Sequence, residues 1–163
     1  METMPNYQDP SASIMQSTTG RPLPSNVEAE KSVLAACMLN EEAVDEIASS
    51  LSPENFYRPA HRLIFEGIAN LAGRHIPIDQ ISLADRLAAE GQLEAAGGRP
   101  YLVELANNTL SLTNWKSHSE IVRRASLQRD LIYASTNINA LAYDAPDDAS
   151  QTIEEAERML FSV

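Results

Sequence analysis

Thr113–Leu141 reads TNWKSHSEIVRRASLQRDLIYASTNINAL, almost 30 residues without a Gly or a Pro. Trp115, His118, Ile121, Val122, Ala125, Ile132, Ile138 and Leu141 recur along it, a pattern that predicts one long helix. The cluster Asp144-Ala145-Pro146-Asp147 ends it, because Pro cannot continue a helix and Asp favours turns. Beyond the break, Asp148 or Ser150 can cap a final helix carrying Ile153, Ala156, Met159 and Leu160. A long and a short helix joined by a tight turn make an antiparallel hairpin over residues 112–163. Such a hairpin encloses too little core of its own, so its apolar stripe has to be buried against something else. Partner binding is the natural inference.

Upstream the texture is of shorter helices. Ser25 followed by Glu28 has the spacing of a capping box, and Val33, Leu34, Cys37 and Met38 then recur at helical spacing within Val27–Leu39. Val44, Ile47, Ala48 and Leu51 mark a second helix, and Ser52-Pro53-Glu54 opens the next turn with Pro at a favourable first position. Ala60, Ile64, Ile68 and Leu71, flanked by Leu63 and Phe65, form a third stripe with Gly73 as its stop. Asp79 can cap a fourth helix with Ile81, Ala84, Leu87 and Ala88 inward and Gly91 as a left-handed C-terminal cap. Gly97-Gly98 marks a sharp connection, after which Pro100 introduces a short helix with Tyr101, Leu102 and Leu105 that ends near Asn107-Asn108. The expected fold is therefore all-α: a compact head of short helices over 25–111, followed by the helical hairpin. Residues 1–24, rich in Ser, Thr, Pro and polar amides, read as a disordered tail.

Composition narrows the function. The chain has 163 residues with 44% apolar, 21% charged and only 6% aromatic side chains, so Leu, Ile, Val and Ala fill the interior. With 23 acidic against 12 basic residues the net charge is −11, which disfavours neutralising a phosphate backbone, so no direct nucleic-acid binding is expected. Lys116, Arg123, Arg124 and Arg129 interleave with Glu120 and Asp130 and read as a salt-bridged helix face. The single cysteine, Cys37, sits in an apolar run and reads as a small buried hydrophobe. No stretch approaches the roughly 18 apolar residues of a membrane span, and no leader-like segment opens the chain, so a cytoplasmic protein is expected.

Chemistry is hard to place. His61, His75 and His118 are far apart and form no metal-ligand pattern, so no metal is expected. His61 reads as a packing or hydrogen-bonding residue at a helix start, and His118 as half-buried surface. Glu41-Glu42 and Glu154-Glu155 lie at helix starts, where the macrodipole favours negative charge. Gly97-Gly98 lacks the Gly-Lys-Ser or Gly-Lys-Thr of a P-loop, so neither ATP binding nor catalysis is expected.

Several ordered segments carry a resemblance. They are Ser25–Leu34 (SNVEAEKSVL), Asn55–Phe65 (NFYRPAHRLIF), Pro77-Ile78-Asp79, Gly91-Gln92-Leu93, Gly97-Gly98, Tyr101-Leu102 with Glu104-Leu105, and Asn107-Asn108-Thr109. In that order they resemble the amino-terminal domain of DnaB-type replicative helicases, and the likeness runs from about Leu23 to Phe161. His118 stands where the family has Tyr, and the turn at 144–149 departs from its known forms. The resemblance implies a non-catalytic module that pairs with its neighbour through the hairpin, as the collar of a homohexamer arranged as a trimer of dimers, and docks the helicase-binding domain of primase. ATP and Mg²⁺ would belong to a RecA-like motor domain, expected after a linker beyond Val163, that drives 5′ to 3′ unwinding. A helicase loader is a further candidate partner, and a free-standing helical adaptor or loader is the alternative identity. Ile132, Ile138 and Ile153 on the hairpin are the candidate partner-binding residues, with Glu28 and Tyr101 added by the resemblance.

Overall fold

The computed structural model describes residues 20–108, 111–144 and 148–163, with Ser111 and Leu112 described by their backbone alone. Among the described residues there are seven α-helices and no strand: α1 Val27–Leu39, α2 Glu41–Ser50, α3 Pro59–Gly73, α4 Gln80–Ala89, α5 Gly98–Ala106, α6 Ser111–Tyr143 and α7 Ala149–Phe161. A 3₁₀ turn, Pro53–Asn55, precedes α3. The chain divides into two compact units. Ser25–Leu127 is one; Gln128–Val163, with the residues up to Pro24, is the other, so the division falls inside α6. Residues 1–19 of the expected tail and 145–147 of the expected turn lie outside the described residues. Within the former stretch's continuation, Leu23 is buried and the Pro24 carbonyl accepts a 2.9 Å hydrogen bond from Arg129.

In the first unit α1 packs on α2, α3 and α5, while α4 packs on α3 and α5. Val33, Leu34, Cys37, Ile47, Phe56, Ile64, Phe65, Ile68, Leu83, Leu87, Leu102 and Leu105 share one core, which Trp115 and Val122 of α6 join. Phe56 and Phe65 lie 4.8 Å apart at 35°, a tilted pair within the favourable range for aromatic contact. At Gly67 the helices approach closely: a Cβ there would lie 2.9 Å from Leu83 Cδ1. α6 crosses to α1 and the 3₁₀ turn through Ser32 Oγ···His118 Nδ1 at 2.5 Å and Asn55 Nδ2–H···Ser126 Oγ at 3.1 Å.

Several local expectations are corrected. Asn26, not Ser25, caps α1, its side chain accepting from the Ala29 amide at 2.9 Å; Glu28 thus stands in the first turn and closes no capping box. In α4 the buried face is Leu83, Ala84 and Leu87, while Ile81 and Ala88 are exposed, so the inward stripe is rotated from the one expected. The packing of Leu83 into the notch at Gly67 selects that rotation. Gly73 does not stop α3. His75 does, at φ 55, with Ile76 N–H bonding Leu71 O and His75 N–H bonding Ala72 O, which together make a Schellman motif. Gly91, at φ 69, ends α4 in the same way, with Gln92 N–H on Leu87 O. Arg129 is buried, not on the exposed face expected for it.

Two outcomes follow from these environments. His75 is exposed and occupies a conformation that strains any residue with a Cβ, so His75→Gly should raise stability by about 0.5–1 kcal/mol, measured as a higher urea midpoint at unchanged slope. Burial pushes the Cys37 thiol up from 9.0 to about 12, so it should resist a disulfide reagent at pH 8 except through unfolding. Because the folded thiol holds its proton more tightly, this contribution to stability is complete below pH 9.0 and is lost as pH rises toward about 12; Cys37→Ala should flatten that alkaline decline.

Candidate functional site

The most polar part of the head's interior begins at Glu30. Its carboxylate is almost wholly buried in α1, where it accepts from Tyr57 N–H at 2.6 Å and Arg58 N–H at 3.4 Å and lies 2.6 Å from His61 Nδ1. The first two come from the segment entering α3, where Pro59 at the first helical position needs no amide partner. His61, fully buried one turn into α3, uses its other ring nitrogen toward the Tyr101 hydroxyl of α5 at 2.7 Å. The two rings are parallel within 2°, their centroids 6.0 Å apart. Glu30, His61 and Tyr101 thus form a chain of hydrogen bonds joining α1, α3 and α5, ending at a half-buried tyrosine.

Tyr101 is held by sterics as well. Gly97, at φ 101, lies so close that a Cβ would sit 2.9 Å from the Tyr101 Cβ. Burial raises the Tyr101 hydroxyl's pKa; Arg58 and Lys31 pull it down, while Glu104 and Glu28 push it up. Lys31 bridges the two carboxylates, lying 3.4 Å from Glu28 and 3.7 Å from Glu104. Desolvation lowers the Lys31 ammonium's pKa, yet Glu28, by charge and hydrogen bond, and then Tyr101 and Glu104 raise it further, so it stands above its ordinary value. A shallow pocket of about 210 Å³ opens here, lined by Glu28, Lys31, Glu104, Leu105, Asn107 and Asn108. Glu28 and Tyr101 therefore belong to one neighbourhood, linked through Lys31. The sequence reading missed Glu30; a carboxylate at the fourth position of an apolar helix, between Ala29 and the buried Ser32, was its only signal.

The second unit is of another kind. No residue of α7 is fully buried, and Ile153 and Leu160 remain 60% and 50% exposed. Leu141 of α6 shares a pocket with Gln151, Thr152, Glu154, Glu155 and Arg158 of α7, so the two helices lie side by side as a hairpin. Leu131, Ala134, Ile138 and Leu141 recur at alternating steps of three and four, the spacing of a coiled-coil seam. Leu131 on that seam is 52% exposed, whereas Ile138 and Leu141, nearer the turn, are half-buried. Ile153, Ala156 and Leu160 form a matching seam on α7. Ile132 and Ile138 do not share a face, since six residues place them about 120° apart around the axis. Ile132 is half-buried beside the seam, while Leu131, which the sequence reading left out, lies on it.

A head of short helices carrying a buried polar chain, and a helical hairpin with half-exposed apolar side chains, define an all-α module. The family model of the DnaB-like helicase N terminal domain matches residues 22–124, and the chain belongs to that family. It is 36% identical over 140 residues to the replicative DNA helicase DnaB of Geobacillus stearothermophilus, a match covering 86% of this chain and 31% of that protein. The crystal structure of the N-terminal domain of DnaB helicase from Mycobacterium tuberculosis superposes with a TM-score of 0.81 at 31% identity, covering 86% of this chain and 99% of that one. A structure of a DnaB-like replicative helicase, determined with its interactions with primase, gives 0.71 at 28% identity, covering 84% of this chain and 31% of that one. The chain spans about a third of the length of the curated relatives it matches. Among the described residues no helix is long and apolar enough to cross a membrane.

Gly97→Ala is the direct test of how tightly Tyr101 is held. The added methyl group meets both an unfavourable backbone conformation and the tyrosine side chain, so stability should fall by about 1–3 kcal/mol. Gly91→Ala, strained in backbone alone because nothing lies within 4 Å of its Cβ position, should lose less in the same urea denaturation series.

Proposed function

We propose that this chain is the collar domain of a replicative DNA helicase, pairing with another copy of itself through the hairpin and docking the helicase-binding domain of primase. In this reading the parent protein is a homohexamer built as a trimer of dimers, and the ATP-driven 5′ to 3′ motor is a RecA-like domain outside this chain. The chain itself then has no ATPase activity and binds no ATP or Mg²⁺.

The observation that carries the proposal is the pair of uncovered seams, Leu131 on α6 with Ile153 and Leu160 on α7, each at least half exposed. Three large apolar side chains on two adjacent helices, in heptad register, match what a second amphipathic helix pair would bury. A twofold arrangement would use the same patch on both partners. Primase enters by likeness to the related helicase whose structure records that interaction. Primase contact is assigned to the Glu28–Tyr101 neighbourhood of the head and to Ile132 and Ile138 of the hairpin.

Light scattering should give a dimer mass at concentrations on the order of 100 μM. Ile153→Glu with Leu160→Glu, both at exposed positions, should return a monomer with unchanged far-ultraviolet circular dichroism. A monomeric wild-type chain would count against pairing through the hairpin. Calorimetric titration with the helicase-binding domain of primase should show saturable binding to the wild-type chain, and its absence would confine the function to ring assembly.

A further inference from the structure

The Glu30–His61–Tyr101 chain determines more than packing, because each link fixes the proton of the next. Glu30 is approached by Tyr57 N–H, Arg58 N–H and His61 Nδ1, and its oxygens serve all three as acceptors. His61 must therefore carry a proton on Nδ1. A neutral imidazole protonated there leaves a lone pair on Nε2, so the Tyr101 hydroxyl, 2.7 Å away, donates its proton inward. Its remaining lone pairs then face outward. The surrounding charges are mixed, Arg58 and Lys31 favouring this direction and Glu104 and Glu28 opposing it, so the hydrogen-bond chain is what sets it.

We propose that Glu30 and His61 are positioning residues that fix the direction of the Tyr101 hydroxyl, so that Tyr101 offers primase an acceptor and is met by a hydrogen-bond donor. The primase part rests on the docking reading above; the hydroxyl direction does not. Neither Glu30 nor His61 touches the partner. Both are buried, and they act through the ring and hydroxyl of Tyr101. The other charged groups near the tyrosine are Glu28 and Glu104, both on the exposed side with Lys31.

Glu30→Gln tests the mechanism because it keeps the shape of the side chain and makes a donor of the atom that faces His61 Nδ1, at the cost of the long 3.4 Å bond from Arg58 N–H to the same atom. Its amide oxygen can still accept from Tyr57 N–H, but its NH₂ then faces His61 Nδ1, which must become the acceptor. The imidazole proton is thereby driven to Nε2, which donates to the Tyr101 oxygen and turns the hydroxyl proton outward.

Long-range ¹H–¹⁵N correlation spectra of the ¹⁵N-labelled chain, with His61 assigned through His61→Gln, read the tautomer without primase. The wild type should show His61 protonated at Nδ1 and bare at Nε2. Glu30→Gln should exchange the two, and Tyr101→Phe should keep the wild-type tautomer while moving Nε2 toward an unbonded nitrogen. An Nε2–H or doubly protonated wild-type ring overturns the hydroxyl direction, whether or not Glu30→Gln folds.

In calorimetry with the helicase-binding domain of primase, Tyr101→Phe should weaken binding about five- to tenfold, the size of one lost interfacial hydrogen bond. Glu30→Gln should weaken it to a similar extent, and adding it to Tyr101→Phe should change little further. Additive losses would show that Glu30 acts by another route and would overturn the positioning role. A wild-type chain with the expected tautomer and no affinity for primase would instead overturn the docking reading and, with it, the donor assigned to primase.

Discussion

A carboxylate buried in the first turns of α1 organises the head. Taking Glu30 out of water is tolerable only because three donors converge on it, the Tyr57 and Arg58 amides from the three residues between the 3₁₀ turn and α3, and His61 Nδ1 from the first turn of α3 itself. The start of α3 is thereby clamped on α1, and His61 carries the clamp on to α5. Arg62, next to His61, bonds the Phe56 carbonyl at 2.7 Å and closes the same loop from outside, with the Phe56 ring directed onto Phe65. Removing one partner of such a buried group is costly, on the order of 3–5 kcal/mol, because the other is left unpaired. An apolar replacement could serve stability as well; what the polar chain adds is a defined register among three helices and a defined tyrosine.

This hub was the least legible feature in the sequence. Helix periodicity identified the seven helices of the described residues, and Asp79, Gly91 and Asn107 were placed at their ends, with Asp148 one of two caps offered for the last, because caps and stripes are local properties of the chain. Failures occurred where a distant contact decides the outcome. Ile81 and Leu83 both suit an inward face, and only the approach to Gly67 selects Leu83. His75 supplies a left-handed cap where Gly73 was the residue with the lower conformational cost. His61 was read as a hydrogen-bonding residue, but neither Glu30 nor Tyr101 could be matched to it, since they lie 31 and 40 residues away. Glu28 and Tyr101 came from family resemblance; their common neighbourhood, through Lys31, came from geometry.

The two units also differ in the kind of apolar surface they present. In the head, α1 is buried on nearly every side, from Ala29 to Met38, and reads as continuously apolar rather than striped. A helix of that character belongs at the centre of a core. α7 is its opposite: strongly amphipathic, acidic along Glu154, Glu155 and Glu157, with no residue fully covered. Its apolar side chains are those of a helix that completes its burial elsewhere. The acidic balance of the chain falls on such exposed faces, keeping open apolar seams soluble without closing them.

The width of the seams limits what they can bind. Leu131, Ala134, Ile138 and Leu141 follow a two-in-seven repeat, narrower than the three-in-seven face of a helix in a globular core. Such a stripe suits a single partner helix at a time. Toward the turn that partner is α7; around Leu131, half exposed, the position is open. Completing the burial of a half-exposed Leu or Ile yields about 1 kcal/mol, and a twofold interface counts each residue twice. That gain is comparable to the roughly 4–15 kcal/mol lost when two molecules surrender their independent motion. Pairing through these seams alone is therefore weak. It becomes strong when the partners are already tethered, since an effective concentration in the millimolar range replaces most of the association cost. In the proposed collar, neighbours held in a ring would supply that tether, and the seams would need only to select the partner.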